Sequence, residues 1–122
     1  MTLNYPQILK SSDWQKEKSI IAKVLPGKRT GITEALQECE KLFPGVKTAI
    51  APLPNGTKVP QPLKSSIANF GLSVQHARDL AKDAADKWRA KTSPVPKATR
   101  EHAEKIERAA DQFFKEIEKL VQ

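Results

Sequence analysis

The sequence predicts an all-α, four-helix domain with a long C-terminal antiparallel helical hairpin and a proline-rich connector. Over most of the chain, apolar side chains recur at alternating three- and four-residue steps, the spacing of one buried helix face. Glycine is scarce, at five of 122 residues, whereas 29% of the residues are charged. Both values are typical of a charge-rich helical protein. At this length we expect a single domain, 1–122, made of a helical pair (1–43), a connector (44–62) and the hairpin (63–122).

Two helices form the predicted N-terminal pair. The first covers about residues 13–25, with Ser11 or Ser12 as N-cap, because a serine oxygen can accept a free backbone N–H. The second covers about residues 31–43. A Pro-Gly pair follows each helix, at 26–27 and 44–45, and is expected to end it.

Residues 44–62 interrupt the helical pattern. Five prolines fall within these nineteen residues, and Asn55-Gly56 indicates a turn. Prolines at this density remove the donors that a helix or sheet needs. "VKTAIA" (46–51) is a candidate extended piece. We expect an ordered connector that lies across the bundle through Ile50, Leu53 and Val59.

The hairpin is predicted from two long seams. The third helix covers residues 63–91, and we favour continuity or a kink at Gly71 over a break there. The fourth covers residues 97–120. Steps of four and three residues run through both helices, as in coiled-coil packing. The short link at 92–96 makes the two helices antiparallel neighbours. The seam residues are Leu63, Ile67, Phe70, Val74, Ala77, Ala81, Ala84 and Trp88 in the third helix, and Ala103, Ile106, Ala110, Phe113, Ile117 and Leu120 in the fourth.

The stretch "GKRTG" (27–31) resembles part of a phosphate-binding loop but lacks its requirements. Such a loop needs G-x-x-x-x-G-K-[ST] between a strand and a helix. Here Ala22 stands at the first glycine, Arg29 stands at the hydroxyl, and a helix precedes the loop. Two readings remain. Lys28 and Arg29 attract an anion to the free amides that begin the second helix, or they are solvated residues in a turn.

No residue pattern indicates catalysis or a metal site. Cys39 lies on the apolar stripe of the second helix, so we expect an inert core thiol. His76 and His102 have no metal-ligand spacing and are expected at the surface. The carboxylates alternate with Lys and Arg, which is typical of solvated helix faces. We therefore predict no enzyme, no cofactor and no metal. An enzyme would need a pocket that gathers His76 or His102 with a carboxylate.

The densest basic segment lies between the third and fourth helices. It contains five basic residues, no acid and one tryptophan, a combination that suits a phosphate backbone. The alternative is that the cations complement the end of the third helix and that Trp88 is packed in the seam. With Lys28 and Arg29, the candidate residues for an anionic partner are Lys87, Trp88, Arg89, Lys91, Lys97 and Arg100.

The net charge of +7 favours acidic partners. The predicted function is a non-catalytic module that binds another protein, or a second copy of itself, and the alternative is nucleic-acid binding through the basic segment and the Lys28-Arg29 turn. Leu72, Leu80, Phe114 and Val121 lie outside the seams and are candidates for a contact surface. A single cysteine, no apparent signal sequence and no long apolar run predict a cytoplasmic protein without a membrane span. Export without a cleaved signal stays open.

Overall fold

The computed structural model describes all 122 residues and is all-helical, which confirms the predicted fold class. A short 3-10 turn (Gln7–Leu9) precedes four helices: α1 (Ser11–Val24), α2 (Ile32–Ile50), α3 (Gln61–Trp88) and α4 (Lys97–Val121). None of the four is apolar over a length that would cross a membrane.

The C-terminal hairpin is present, and α3 and α4 form the largest interface of the molecule. Contacts early in α3 reach the end of α4, and contacts late in α3 reach its beginning, so the two helices run antiparallel. Arg78 binds Asp111, for example, whereas Arg89 approaches Glu104. The predicted seam residues are buried, apart from half-buried Leu63 and Leu120 at the end away from the link. The hairpin therefore follows from the heptad-like pattern.

Gly71 does not break α3; it is buried within a continuous helix. A Cβ atom at this position would lie 3.2 Å from Cγ2 of Ile117 and 3.6 Å from the ring of Phe114. The missing side chain thus allows α4 to approach α3 closely. Glycine in a helix costs roughly 1 kcal/mol of backbone entropy relative to alanine, so Gly71 lowers the intrinsic stability of α3.

The prediction that α2 ends at Phe43 is wrong. The helix passes through Pro44 and continues to Ile50, so residues 46–50 of "VKTAIA" are helical rather than extended. Val46 and Ile50 are buried and continue the stripe of the preceding turns. Burying such side chains contributes about 1.5–3 kcal/mol each, which together offsets the roughly 3 kcal/mol cost of a proline inside a helix.

The connector is consequently shorter than predicted and covers 51–60. Val59 is buried and Leu53 is half-buried against the core, as expected, whereas Ile50 belongs to the end of α2. Pro60 is the N-cap of α3 and Pro62 lies in its first turn, where a proline is tolerated because the N–H has no helical partner.

The serine cap predicted for α1 is also wrong. The helix starts at Ser11, and no side chain caps it. Instead, the backbone N–H of Ser11 donates to the carboxylate of Glu40 in α2. A tertiary contact therefore satisfies the donor that the sequence pattern assigned to a local serine oxygen. The buried face of α1 is formed by Trp14, Glu17 and Ile21.

Candidate binding cleft

A cleft of about 570 Å³ lies between the α1–α2 turn and the C-terminal end of α3. We call it the tip cleft. Leu25, Leu80, Ala84 and Trp88 contribute apolar lining. The exposed side chains of Lys28, Arg29 and Lys87 contribute positive charge. The cleft thus combines apolar walls with a cationic rim.

Two glycines shape the α1–α2 turn and hold it against α3. Gly27 and Gly31 both have positive φ angles, 78° and 75°, which residues other than glycine rarely adopt. A Cβ atom on Gly31 would lie 3.3 Å from Cδ1 of Leu80 in α3. The N–H of Lys28 donates to the carbonyl of Leu25 at 3.1 Å. The turn therefore presents Lys28 and Arg29 at a defined place beside α3.

The tip cleft joins part of both basic regions found in the sequence. Lys28 and Arg29 from the turn meet Lys87 and Trp88 from the end of α3. The other predicted binding residues, Arg89, Lys91, Lys97 and Arg100, do not line this cleft.

Several cations near the link are already paired with carboxylates. Arg89 and Arg100 lie 3.4 Å and 3.5 Å from the same oxygen of Glu104, and Arg89 also binds Asp86. Lys97 lies 3.8 Å from Glu101. By contrast, Lys28, Lys87 and Lys91 form no salt bridge. Among the predicted binding residues, these three lysines are therefore the cations without a carboxylate partner.

Trp88 is packed and leaves only 6% of its surface exposed. Its ring is part of the α3–α4 seam and contributes to the wall of the tip cleft. A base cannot stack on a ring whose faces are covered. This packing removes the aromatic platform on which the nucleic-acid alternative partly relied.

At the start of α2, some of the free backbone N–H groups already have a local hydrogen-bond acceptor. The N–H of Ile32 donates to Oγ1 of Thr30 at 3.3 Å, and Glu34 lies in the first turn. Glu34 also approaches Arg29 at 3.9 Å, although both side chains are more than half exposed, so the pair contributes little. An anion at these amides stays a prediction.

A second cleft, of about 340 Å³, shares Lys28, Arg29 and Thr30 with the tip cleft. We call it the turn cleft. Its remaining lining comes from α1, the glycines of the α1–α2 turn and the first turn of α2, including Trp14, Ile21 and exposed Ala22 and Lys18. The three shared residues form a ridge between the two clefts.

Buried Glu17 and half-buried His102 form a polar pair that the sequence analysis missed. Nδ1 of His102 lies 3.7 Å from Oε1 of Glu17, and the imidazole packs edge-to-face on Trp14 at 5.1 Å. The expectation of a surface position for His102 is therefore wrong. The spacing Trp14, Glu17, Ile21 places Glu17 on the buried stripe of α1, and this signal was available in the sequence. Neither member of the pair lines the tip cleft or the turn cleft.

The other candidate reactive residues lie apart from one another. His76 is exposed on α3. Cys39 is 1% exposed, and burial, followed by the charges of Glu38 and Glu40, raises its pKa to about 12. Because the thiolate is the nucleophile, this thiol is inert at neutral pH. His, Cys, Asp and Glu side chains form no group of three suited to a metal ion.

Of the four apolar residues proposed as a contact surface, only Leu72 is strongly exposed, at 59%. Leu80 lines the tip cleft. Phe114 is half-buried beneath the guanidinium of Arg78, which lies 5.4 Å from its ring centre. Val121 is half-buried against the core. An isolated exposed leucine is ordinary for a protein surface.

No protein-family model matches this sequence, and neither the curated proteins nor the solved structures include a match.

Proposed function

We propose that the protein is a non-catalytic binding module that holds an acidic segment of another protein in the tip cleft. The observation that carries this proposal is the meeting of Lys28, Arg29 and Lys87 around an apolar wall of Leu25, Leu80 and Trp88. The apolar lining favours a protein partner, and the cations favour an acidic one. The single buried thiol agrees with a reducing, cytoplasmic location.

The two parts of the cleft have different physical roles. Apolar side chains of the partner gain free energy by leaving water, at about 25 cal/mol per Å². Surface charges add less affinity, but they steer the encounter and select against basic partners. Asp83 also lines the cleft. Its charge disfavours a dense run of carboxylates at that side.

Nucleic-acid binding is the second candidate, favoured by the same gathering of Lys28, Arg29 and Lys87. The packed ring of Trp88 and the pairing of Arg89 and Arg100 with Glu104 argue against it. A second copy of the chain has less support, because stable interfaces bury about 800 Å² on each partner and Leu72 is the single large apolar side chain that is strongly exposed.

The test compares two variants with the same change of charge. The cleft variant carries Lys28→Glu, Arg29→Glu and Lys87→Glu, and the control carries Lys41→Glu, Lys58→Glu and Lys105→Glu, all exposed and outside both clefts. Proteins retained from a nuclease-treated lysate are identified and purified, and their Kd for each variant is measured. We expect the cleft variant to lose at least about tenfold in affinity, or about 1.4 kcal/mol, and the control to lose much less.

Salt dependence separates the two candidate functions. Binding of a single-stranded oligonucleotide should weaken with a logarithmic slope of about −0.7 for each phosphate neutralised. A partner held mainly by the apolar wall should respond far less. If the cleft variant and the control bind the purified protein equally well, the proposed function is wrong. If nuclease abolishes retention and the oligonucleotide shows the steep slope, the second candidate replaces it.

A further inference from the structure

The ridge formed by Lys28, Arg29 and Thr30 borders both the tip cleft and the turn cleft. The side chain of Arg29 is 88% exposed, and Lys28 is also exposed. A chain that binds to these two cations therefore has an apolar recess available on each side. This geometry raises the question of whether one partner segment uses both.

The turn cleft repeats the composition of the tip cleft on a smaller scale. Trp14, Ile21 and Ala22 contribute its apolar lining, and Lys18 contributes a positive charge. Together the two clefts are lined by four cations, Lys18, Lys28, Arg29 and Lys87, and two carboxylates, Glu34 and Asp83. The excess of positive charge lies at the ridge, where two adjacent cations face the solvent.

We propose that a single acidic segment crosses this ridge and occupies both clefts. Its carboxylates lie over Lys28 and Arg29, and one apolar side chain on each side enters a cleft. The inference rests on the proposed function and adds the pattern of the partner: apolar, acidic, apolar. The partner is an acidic segment of another protein.

The ridge is preorganised for such a crossing. The positive φ angles of Gly27 and Gly31 define the turn, and the close approach of Gly31 to Leu80 sets its position against α3. A preformed surface lowers the ordering cost of binding. Two linked apolar contacts also reinforce each other, because the first one raises the effective concentration of the second.

Two matched variants address the clefts separately. Lys18→Glu with Ala22→Glu changes the turn cleft alone, and Lys87→Glu with Ala90→Glu changes the tip cleft alone. A control, Ala68→Glu with Lys105→Glu, makes the same change of charge outside both clefts. All six side chains are exposed, so we expect every variant to fold, which its helical circular dichroism signal checks. Lys18→Ala and Lys87→Ala provide a milder second series.

The probe is a phage-displayed random peptide library selected on the wild-type protein, with a Lys28→Glu/Arg29→Glu variant as counter-selection. We expect enriched peptides to carry carboxylates between two apolar side chains. A fluorescein-labelled copy of an enriched peptide is then titrated by fluorescence anisotropy. Each cleft variant should weaken its binding by about tenfold, and the control should change it by less than about threefold.

The outcomes separate this inference from the proposed function. If only the tip-cleft variant weakens binding, the crossing is wrong and the proposed function stands. The same holds if enriched peptides carry an apolar residue on one side alone. If the library shows no enrichment on the wild type over the counter-selection variant, both the crossing and the proposed function are wrong.

Discussion

Glycine positions set how closely the helices of this protein approach one another. Gly71 lies where α3 meets Ile117 and Phe114 of α4, and Gly31 lies where the α1–α2 turn meets Leu80. Gly45, also within a helix, has no atom within 4 Å of its absent side chain. The space available for a Cβ atom therefore differs among these three glycines, and the sequence alone does not indicate this difference.

The two helical glycines should respond oppositely to larger side chains. Gly45→Ala should raise the free energy of unfolding by about 0.5–1 kcal/mol, because alanine has the higher helix propensity. Gly71→Val should lower it by about 1–3 kcal/mol, because its methyl groups overpack the contact with Ile117. Urea denaturation measures both values. A Gly71→Val protein as stable as the wild type would contradict the close approach of α3 and α4.

Some single-residue properties were predictable and others were not. The spacing of Glu17 from Trp14 and Ile21 placed it on a buried face, although its charge indicated the opposite. The cap of α1 was not predictable, because the acceptor for Ser11 is Glu40, which lies in another helix. A local pattern cannot report a partner supplied by tertiary packing.

At the scale of helices, the predictions succeeded where a seam is long. The ends of α3 and α4 lie within three residues of the predicted ends, because an uninterrupted pattern of three- and four-residue steps defines both. The end of α2 was misplaced by seven residues, because the Pro44-Gly45 pair is a strong local stop signal. The free energy gained by burying Val46 and Ile50 outweighs that signal. A prediction from local helix propensity does not include this gain.

Pro44 should therefore limit the stability of α2. Replacement by alanine, Pro44→Ala, restores a backbone donor and removes the clash with the preceding turn. We expect the free energy of unfolding to rise by about 1–3 kcal/mol, less what the unfolded chain gains in freedom. Pro62→Ala in the first turn of α3 is the matched control and should cost up to about 1 kcal/mol. Thermal and urea unfolding report both. A loss of stability in Pro44→Ala would mean that the proline is required for the path of α2.

At the scale of the whole molecule, α1 contacts α4 through the polar pair of Glu17 and His102 and through Trp14, which packs on His102. Oε2 of Glu17 and Nε2 of His102 are buried without hydrogen-bond partners. Buried pairs of this kind often contribute less than apolar residues of similar size, whereas removing one member alone is costly.

A double-mutant cycle tests this view of the α1–α4 contact. His102→Leu alone should lower the free energy of unfolding by about 1–3 kcal/mol, because it leaves the Glu17 carboxylate buried beside an apolar group. Glu17→Met with His102→Leu should match or exceed the wild type. His76→Leu, at an exposed histidine, should stay within about 0.5 kcal/mol. A double variant clearly less stable than the wild type would contradict this view, because the polar pair would then contribute more than apolar residues of similar size.

The sequence indicated which residues form the candidate site, but not that the fold brings them together. Composition and spacing indicated Lys28, Arg29 and Lys87, yet the turn and the end of α3 are almost sixty positions apart in the chain. Their meeting depends on how the α1–α2 turn packs on α3, where Gly31 lies close to Leu80. Pairing with Glu104 likewise removed Arg89 and Arg100 from the available cations. The i,i+4 spacing of Arg100 and Glu104 was visible in the sequence, whereas the approach of Arg89 to Glu104 depends on the packing of α3 on α4.

The walls of the tip cleft come from distant parts of the chain, and this links occupancy of the cleft to the stability of the folded protein. An unfolded or partly folded chain has no such cleft, so an occupant binds only the folded protein. By mass action, an occupant at a hundred times its Kd adds about 2.7 kcal/mol to the folded state. A protein of ordinary marginal stability would then resist proteolysis and heat most strongly while such an occupant is abundant.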